Sequence, residues 1–222
     1  MKLDIKAPDY TTLCKRQGSL KIDLPKTVNG PIHLVVDSTG LKVYGEGEWK
    51  TRQHGYSKRR TWRKLHLGIN ADTHEIVNKV LSTNDYQDSE LLPDILKGIS
   101  GNIRQVTADS GYDSHHTYKL IKNIGAEPVI PPRRNAIFSK QDSPRNEVLR
   151  QIQKLGRKTW KVNNGYHKRS LAETAVFRIK NIFGDKLRSR NLDNQITEAS
   201  ILCSALNTMS YLGLPAYFSE QH

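Results

Sequence analysis

Over "TWRKLHLGINAD" the apolar residues Leu65, Leu67 and Ile69 alternate with polar ones, and a period of two predicts a half-buried strand. "PIHLVVDSTG" (31–40) reads as a short apolar strand ending in Asp37, with a Ser-Thr-Gly turn after it. Asp72 and Thr73 turn the chain into a third strand, "HEIVNKVLSTND", which makes an antiparallel meander. The pattern then lengthens to a helical one in "DSELLPDILKGI" (88–99), with an Asp or Ser cap and an early glutamate. A cap gives Asp88 and Glu90 a sufficient structural role. "IRQVTADSGYDS" (103–114) is a strand running into a turn with Asp109 at its end. "SHHTYKLIKNIG" is a helix capped by Asp113 or Ser114 and stopped by Gly125, and "AEPVIPPRR" is a short buried strand closed by prolines. After a polar stretch come two helices, one around "YHKRSLAETAVFRIK" (166–180) ending near Gly184, and a last one, "NQITEASILCSALNTMSYLG", ending at Gly213 and Pro215. The order is β-β-β-α-β-α-β, a basic insert, then α-α. A mixed sheet flanked by helices, of the α/β class, is the natural way to bury these elements.

Composition narrows the partners. The 222 residues suffice for one well-buried domain, and a mean hydropathy of −0.64 suits a polar surface. No apolar run is long enough to span a bilayer, and "MKLDIKAPDY" lacks a signal-peptide core. Cys14 and Cys203 have no metal-ligand or redox spacing, so a cytoplasmic protein with free thiols is expected. Thirty-five Lys and Arg against twenty-two Asp and Glu leave a net charge of +13. Such a surplus favours a polyanionic partner, most often nucleic acid.

The basic residues cluster. Residues 49–66 carry Lys50, Arg52, Lys58, Arg59, Arg60, Arg63 and Lys64 among Trp49, Tyr56 and Trp62. Cations contact phosphates and aromatics stack on bases, although a solvated hairpin with core aromatics has the same composition. Residues 131–161 hold Arg133, Arg134, Lys140, Arg145, Arg150, Lys154, Arg157, Lys158 and Lys161 against Asp142 and Glu147. Such an excess is hard to neutralise internally and marks a candidate DNA-facing surface.

Three carboxylates occupy unusual positions. Asp37 follows "LVV", Asp109 follows "VTA", and Glu173 lies on a polar stripe beside an apolar helix face. On a helix, Tyr166, Arg169, Glu173 and Lys180 fall at roughly 0°, 300°, 340° and 320°, inside one narrow arc. Adjacent strands ending in carboxylates, with a helix packed across them, would gather all three at one sheet edge, where mutual repulsion calls for a cation. Oxygen ligands of this kind select Mg²⁺ or Mn²⁺, and two such ions about 4 Å apart serve phosphoryl transfer. The simpler reading makes Asp37 and Asp109 turn caps, Arg169 the i,i+4 ion-pair partner of Glu173, and Tyr166 a core tyrosine with a wet hydroxyl.

"VVDSTG", "VTADSGYD" and "YHKRSLAETAVFRIK" resemble the three catalytic blocks of DDE transposases of bacterial insertion sequences, in particular the insertion-sequence-five group related to PIF/Harbinger elements. The third block of that group has the spacing Tyr-x2-Arg-x3-Glu-x6-Lys, which Tyr166, Arg169, Glu173 and Lys180 fit at all four places. The likeness extends through "WRKLHLGINADTHEI", "IPPRRNA" and "ALNTMSYLG", most of residues 30–213. The resemblance implies an RNase H-like fold, DNA strand cleavage and strand transfer, and two Mg²⁺ ions, replaceable by Mn²⁺, held by Asp37, Asp109 and Glu173. It further implies that Tyr166, Arg169 and Lys180 line double-stranded DNA, both element ends and target, within a homo-oligomer assembled on DNA in the bacterial nucleoid. The basic clusters add Arg133, Arg134, Arg59, Arg60 and Trp62 as expected DNA contacts.

Members of the group carry a longer helical N-terminal region that binds the element ends. Residues 1–30 are therefore expected to be the tail of an incomplete N-terminal DNA-binding region. Residues 31–213 are the expected catalytic domain, with a basic insert at about 131–161, and 214–222 a C-terminal tail. Two other functions share these features. One is a non-mobile DNA-binding relic, or an inhibitor of a full-length transposase. The other is an RNase H-like nuclease without strand transfer.

Overall fold

The computed structural model describes residues 7–24, 30–43, 62–97, 99, 102–140 and 142–213. Strand β1 (Ile32–Val43) is the spine of the molecule. It pairs antiparallel along nearly its whole length with β2 (Trp62–Asn70), which pairs antiparallel with β3 (Ile76–Ser82), giving the expected meander. On its other side β1 pairs parallel with β4 (Ile103–Thr107), itself parallel to β5 (Glu127–Val129). Further along, the same side of β1 pairs with β6 (Lys186–Leu187), so the sheet order is β3-β2-β1-β4-β5 with β6 on β1.

The "IHLVV" run at the start of β1 is buried throughout because both of its faces are covered, and its one polar member, His33, is satisfied by a hydrogen bond between Nε2 and the Thr107 hydroxyl. Ile32, Leu34 and Val36 point to helices α2 (Leu92–Lys97), α3 (His115–Asn123), α4 (Pro144–Leu155) and α5 (Arg157–Asn163), meeting Leu92, Ile95, Tyr118, Ile121, Val148 and Trp160. Val35 and Leu41 point the other way, with Leu65, Leu67 and Ile69, to helices α6 (Ser170–Phe183) and α7 (Leu192–Leu212), here given by Ala172, Ala175, Ile179, Ala199, Cys203 and Leu206. Asn207 of α7 accepts from and donates to the backbone of Ile76, tying the helix to edge strand β3. The whole is the mixed sheet flanked by helices, of the α/β class, that the order of elements predicts.

Three expectations need correction, and one element is added. The Ser-Thr-Gly after Asp37 is not a turn: β1 continues to Val43 because Ser38, Thr39 and Gly40 are held opposite His66, Leu65 and Lys64 of β2. Ladder pairing here overrides local turn preference. The basic insert is structured, with Ser143 capping α4 and Trp160 of α5 buried in the core. Its charge is partly neutralised within the chain: Arg145 pairs with Asp113 and Arg150 with Asp142. The N-terminal segment, for which the sequence pattern assigns no element, contains a helix, α1 (Tyr10–Gln17), which docks beside α7 through hydrogen bonds from Gln17 to the Ser189 hydroxyl and the Asn194 carbonyl. Finally, the 88–99 segment is a 3₁₀ turn (Asp88–Glu90) followed by α2, and its cap is Gln87, which exchanges hydrogen bonds with Glu90.

Among the described residues no helix is long and apolar enough to cross a membrane.

Candidate active site

The ladder between β1 and β4 runs to the pair Val35–Thr107 and stops there, whereas β1 resumes parallel pairing at Lys42 with β6. The sheet therefore has a notch beside residues 36–41 of β1. Asp37 and Asp109 each lie two residues beyond the last registered pair. They leave neighbouring parallel strands at matching positions and on the same face, with strands spaced about 4.8 Å apart. That face is the one covered by α6.

Asp109 combines two roles. Its Oδ1 accepts from the Gly111 backbone N–H at 2.8 Å and caps the 3₁₀ turn Ser110–Tyr112, as a turn-cap reading requires. The same turn points the chain out of the sheet, so the carboxylate stays at the notch. Asp37 accepts from the Ser38 backbone N–H at 2.9 Å, but caps no turn.

Glu173 arrives on α6, whose contact face is made of Ala172, Ala175 and Ile179. Two alanines let a helix approach a sheet closely. Residues 166–169 are a 3₁₀ turn and not the first turn of that helix; Gly165, at φ +64°, sets its direction. The tighter winding changes the expected stripe. Tyr166 turns inward and packs against the core, with the Lys161 ammonium 4.7 Å from its ring centroid. Arg169 turns toward the carboxylates: Nη1 donates to Glu173 Oε1, and Nη2 lies 3.5 Å from Asp37 Oδ2. Its Nε is buried and has no hydrogen-bond partner among the described residues.

The electrostatics record the same gathering. Burial pushes the Asp37 carboxyl above the usual carboxylate range. Arg169 and the Ser38 amide oppose that, and the charges of Asp109 and Glu173 reinforce it. The Tyr166 phenol is likewise raised, first by burial, with Arg169 lowering it and Asp109, Asp37 and Glu173 raising it. Asp37, Asp109, Glu173, Arg169 and Tyr166 thus share one environment.

Other expected residues stand apart. Lys180 is half-buried on α6, seven residues beyond Glu173, and forms no ion pair among the described residues. Arg133 and Arg134 are exposed at the rim, with Arg133 Nε 3.5 Å from the Ser110 carbonyl. The Trp62 ring packs over Gly40, where an added Cβ would come within 3.2 Å, and Lys42 sits 5.7 Å from the ring centroid. Arg59 and Arg60 lie outside the described residues.

Sequence reasoning missed a second charged layer. Asp88 pairs with Lys64 at 2.9 Å, and Asp113, nearly fully buried, is clamped by Arg145 through contacts of 2.6 and 3.0 Å. Both acids had been accounted for as helix caps, and nothing in the spacing of Arg145 distinguishes it from its basic neighbours.

Residues 29–208 match the transposase DDE domain family, and a second transposase DDE domain family matches residues 1–46. This chain belongs to the transposase DDE domain family. Among solved structures the domain is similar to a piggyBac transposase synaptic complex with hairpin DNA, at 12% identity and a TM-score of 0.40, covering 81% of this chain and 48% of that one. It is also similar to a simian T-cell lymphotropic virus intasome in complex with PP2A regulatory subunit B56 gamma, at 11% identity and a TM-score of 0.37, covering 81% and 52%. The transposase domain thus spans about half the length of each.

DDE transposase domains generally use divalent metal ions. The donors here have the right chemistry, three carboxylates around a notch, one of them held above its usual range by burial and by the other two. Among the described residues no three such groups stand close enough to share one ion, and the Arg169 guanidinium contacts both Asp37 and Glu173.

Proposed function

We propose that this transposase domain cuts DNA at the ends of a mobile element and joins those ends to target DNA, with Asp37, Asp109 and Glu173 as metal ligands. The observation that carries this reading is the matched register of Asp37 and Asp109 beside a helix-borne Glu173, joined through Arg169, in a chain of the transposase DDE domain family. Two Mg²⁺ ions, or Mn²⁺ in their place, would activate the attacking oxygen and stabilise the leaving one.

The chain's own residues do the rest. Asp37 and Asp109 fix one side of the reacting phosphate. Glu173 closes the other when Arg169 swings from the carboxylates to a DNA phosphate, which offers the guanidinium a bidentate partner. Tyr166 holds the backbone of the turn that carries Arg169, its ring wedged in the core. Cleavage forms a bond from water oxygen to phosphorus and releases a 3′-hydroxyl. In joining, that hydroxyl attacks a target phosphorus in line, and the target's own 3′-oxygen leaves with the bonding pair. No side chain becomes attached to DNA, since both nucleophiles are oxygens of water or of DNA.

Lys180, Arg133, Arg134, Arg59, Arg60 and Trp62 are assigned to the duplexes, element ends and target, within a homo-oligomer that holds two ends together. A cytoplasmic, nucleoid-associated location follows from that substrate. The test is a strand-transfer assay: a labelled, pre-cut element end is incubated with plasmid and Mn²⁺. Joined product supports a transposase. Nicking without joining, using ends drawn from the flanks of the native gene, would reassign the domain to hydrolysis alone.

A further inference from the structure

Tyr112 is fully buried, yet its hydroxyl has no hydrogen-bond partner among the described residues. A buried hydroxyl left unbonded is costly, so its surroundings matter. The charges that bear on it are those of Asp88, Asp37 and Asp109, in that order. Two members of that set are the paired carboxylates of the notch. The third, Asp88, comes from the 3₁₀ turn ahead of α2.

Asp88 is held from β2. Lys64 Nζ lies 2.9 Å from its Oδ1, and His66 Nδ1 lies 4.0 Å from the same atom. His66 is fully buried and hydrogen-bonds Ser82 through Nε2, but among the described residues its Nδ1, like the Tyr112 hydroxyl, has no hydrogen-bond partner. The other oxygen of Asp88 lies on the side of Gly111, as does the carboxylate of Asp109. A Cβ added at Gly111 would stand 2.9 Å from Asp109 Oδ1 and 3.4 Å from Asp88 Oδ2, so both carboxylates come against one α-carbon that carries no side chain. Local structure does not need Asp88, because Gln87 and Glu90 already cap its turn.

We propose that Asp88 and Tyr112 are positioning residues for Asp109: Asp88, clamped by Lys64, sets a fourth negative charge behind the Asp37–Asp109 pair, and the Tyr112 hydroxyl donates to these carboxylates as a cation draws them together. This rests on the reading of Asp37, Asp109 and Glu173 as divalent-ion ligands. The fourth charge raises the attraction of the notch for a cation without touching it. The hydroxyl fixes the orientation of carboxylates that otherwise repel one another.

The test is Mn²⁺ titration of the full chain, without DNA, followed by the electron paramagnetic resonance signal of free Mn²⁺. Partners that orient metal ligands are typically worth about 10–100-fold in affinity. Asp88→Asn should therefore weaken Mn²⁺ binding by about tenfold at unchanged melting temperature, and Asp88→Glu should recover most of it. Tyr112→Phe fills the same core space and carries the test if Asp88→Asn fails to fold; it should weaken binding by about threefold or more. Asp109→Asn should abolish binding. Wild-type affinity in folded Asp88→Asn and Tyr112→Phe, with loss only in Asp109→Asn, overturns this inference and leaves the ligand reading standing. Undiminished binding in Asp109→Asn, or no binding by the wild type, overturns both.

Discussion

Replacing Arg169 by alanine should tighten divalent-ion binding to the DNA-free chain. The guanidinium occupies the place of a counter-ion: it donates to Glu173 and lies 3.5 Å from Asp37, and only about a quarter of its side chain is exposed. At that separation, and at an effective dielectric of about 20, two unit charges attract by roughly 5 kcal/mol. Most of this is offset by the hydration both groups give up, and a hydrogen bond to a charged group retains about 1.5–3 kcal/mol net. The contact to the exposed Glu173 is an i,i+4 pair worth about 0.5 kcal/mol. A cation binding all three carboxylates must displace these contacts. Taking the lower end for the long Asp37 contact, Arg169→Ala removes a penalty of about 1.5 kcal/mol, or about a tenfold gain in affinity. Isothermal titration with Mn²⁺ measures it. Arg169→Ala should gain in Mn²⁺ affinity and lose in DNA affinity, whereas Arg169→Lys should lie between it and the wild type in both. Unchanged or weaker Mn²⁺ binding by folded Arg169→Ala would refute the idea that the guanidinium and a metal ion share Asp37 and Glu173.

Burial holds His33 and His66 down at about 4, so both are neutral in the folded chain at pH 7. The unfolded chain takes up these protons near pH 6.5, hence stability is full above that value and declines as pH falls toward 4, by roughly 3 kcal/mol per histidine. Urea midpoints measured across this range should fall, and a flat profile would contradict the assignment. Arg145→Ala should cost about 3–5 kcal/mol, because it leaves the buried Asp113 unpaired; thermal unfolding reads this, and a loss below about 1 kcal/mol would place the pair among weak surface bridges. For DNA, Arg133→Ala and Arg134→Ala should each reduce the slope of log affinity against log salt by about 0.9 if each neutralises one phosphate. An unaltered slope in both removes this rim from the DNA surface.

The parts of the fold that showed in the sequence are those where one periodicity rules. Leu65, Leu67 and Ile69 alternate because that face of β2 meets α6 and α7. But β2 is not the half-buried strand its alternation predicts: His66, Gly68 and Asn70 on the other face are buried too, with Gly68 against Ile95 of α2. Asp37 and Asp109 stand out because each follows an apolar run, and each lies two residues beyond the last registered pair of β1 and β4. The turn assigned after Asp37 failed because pairing with β2 is a long-range effect that "STG" does not carry. The 3₁₀ turn at Tyr166–Arg169 was read as helix because the two differ by only about 20° per residue, which four residues cannot display. Arg145 and Asp113 are 32 residues apart, and Asp88 meets Asp109 only across Gly111; such pairs are made by packing and have no local signature.

The measurement that bears most directly on the active site is nicking of supercoiled plasmid in Mn²⁺ by the wild-type chain beside Asp37→Asn, Asp109→Asn and Glu173→Gln, with a gel shift on the same samples. We expect nicking by the wild type alone, and DNA binding by all four, since each substitution removes a proposed metal ligand and leaves the basic surface in place. Nicking retained in any folded variant would strike that residue from the ligand set, and nicking retained in all three would contradict the assignment of the notch as the catalytic centre.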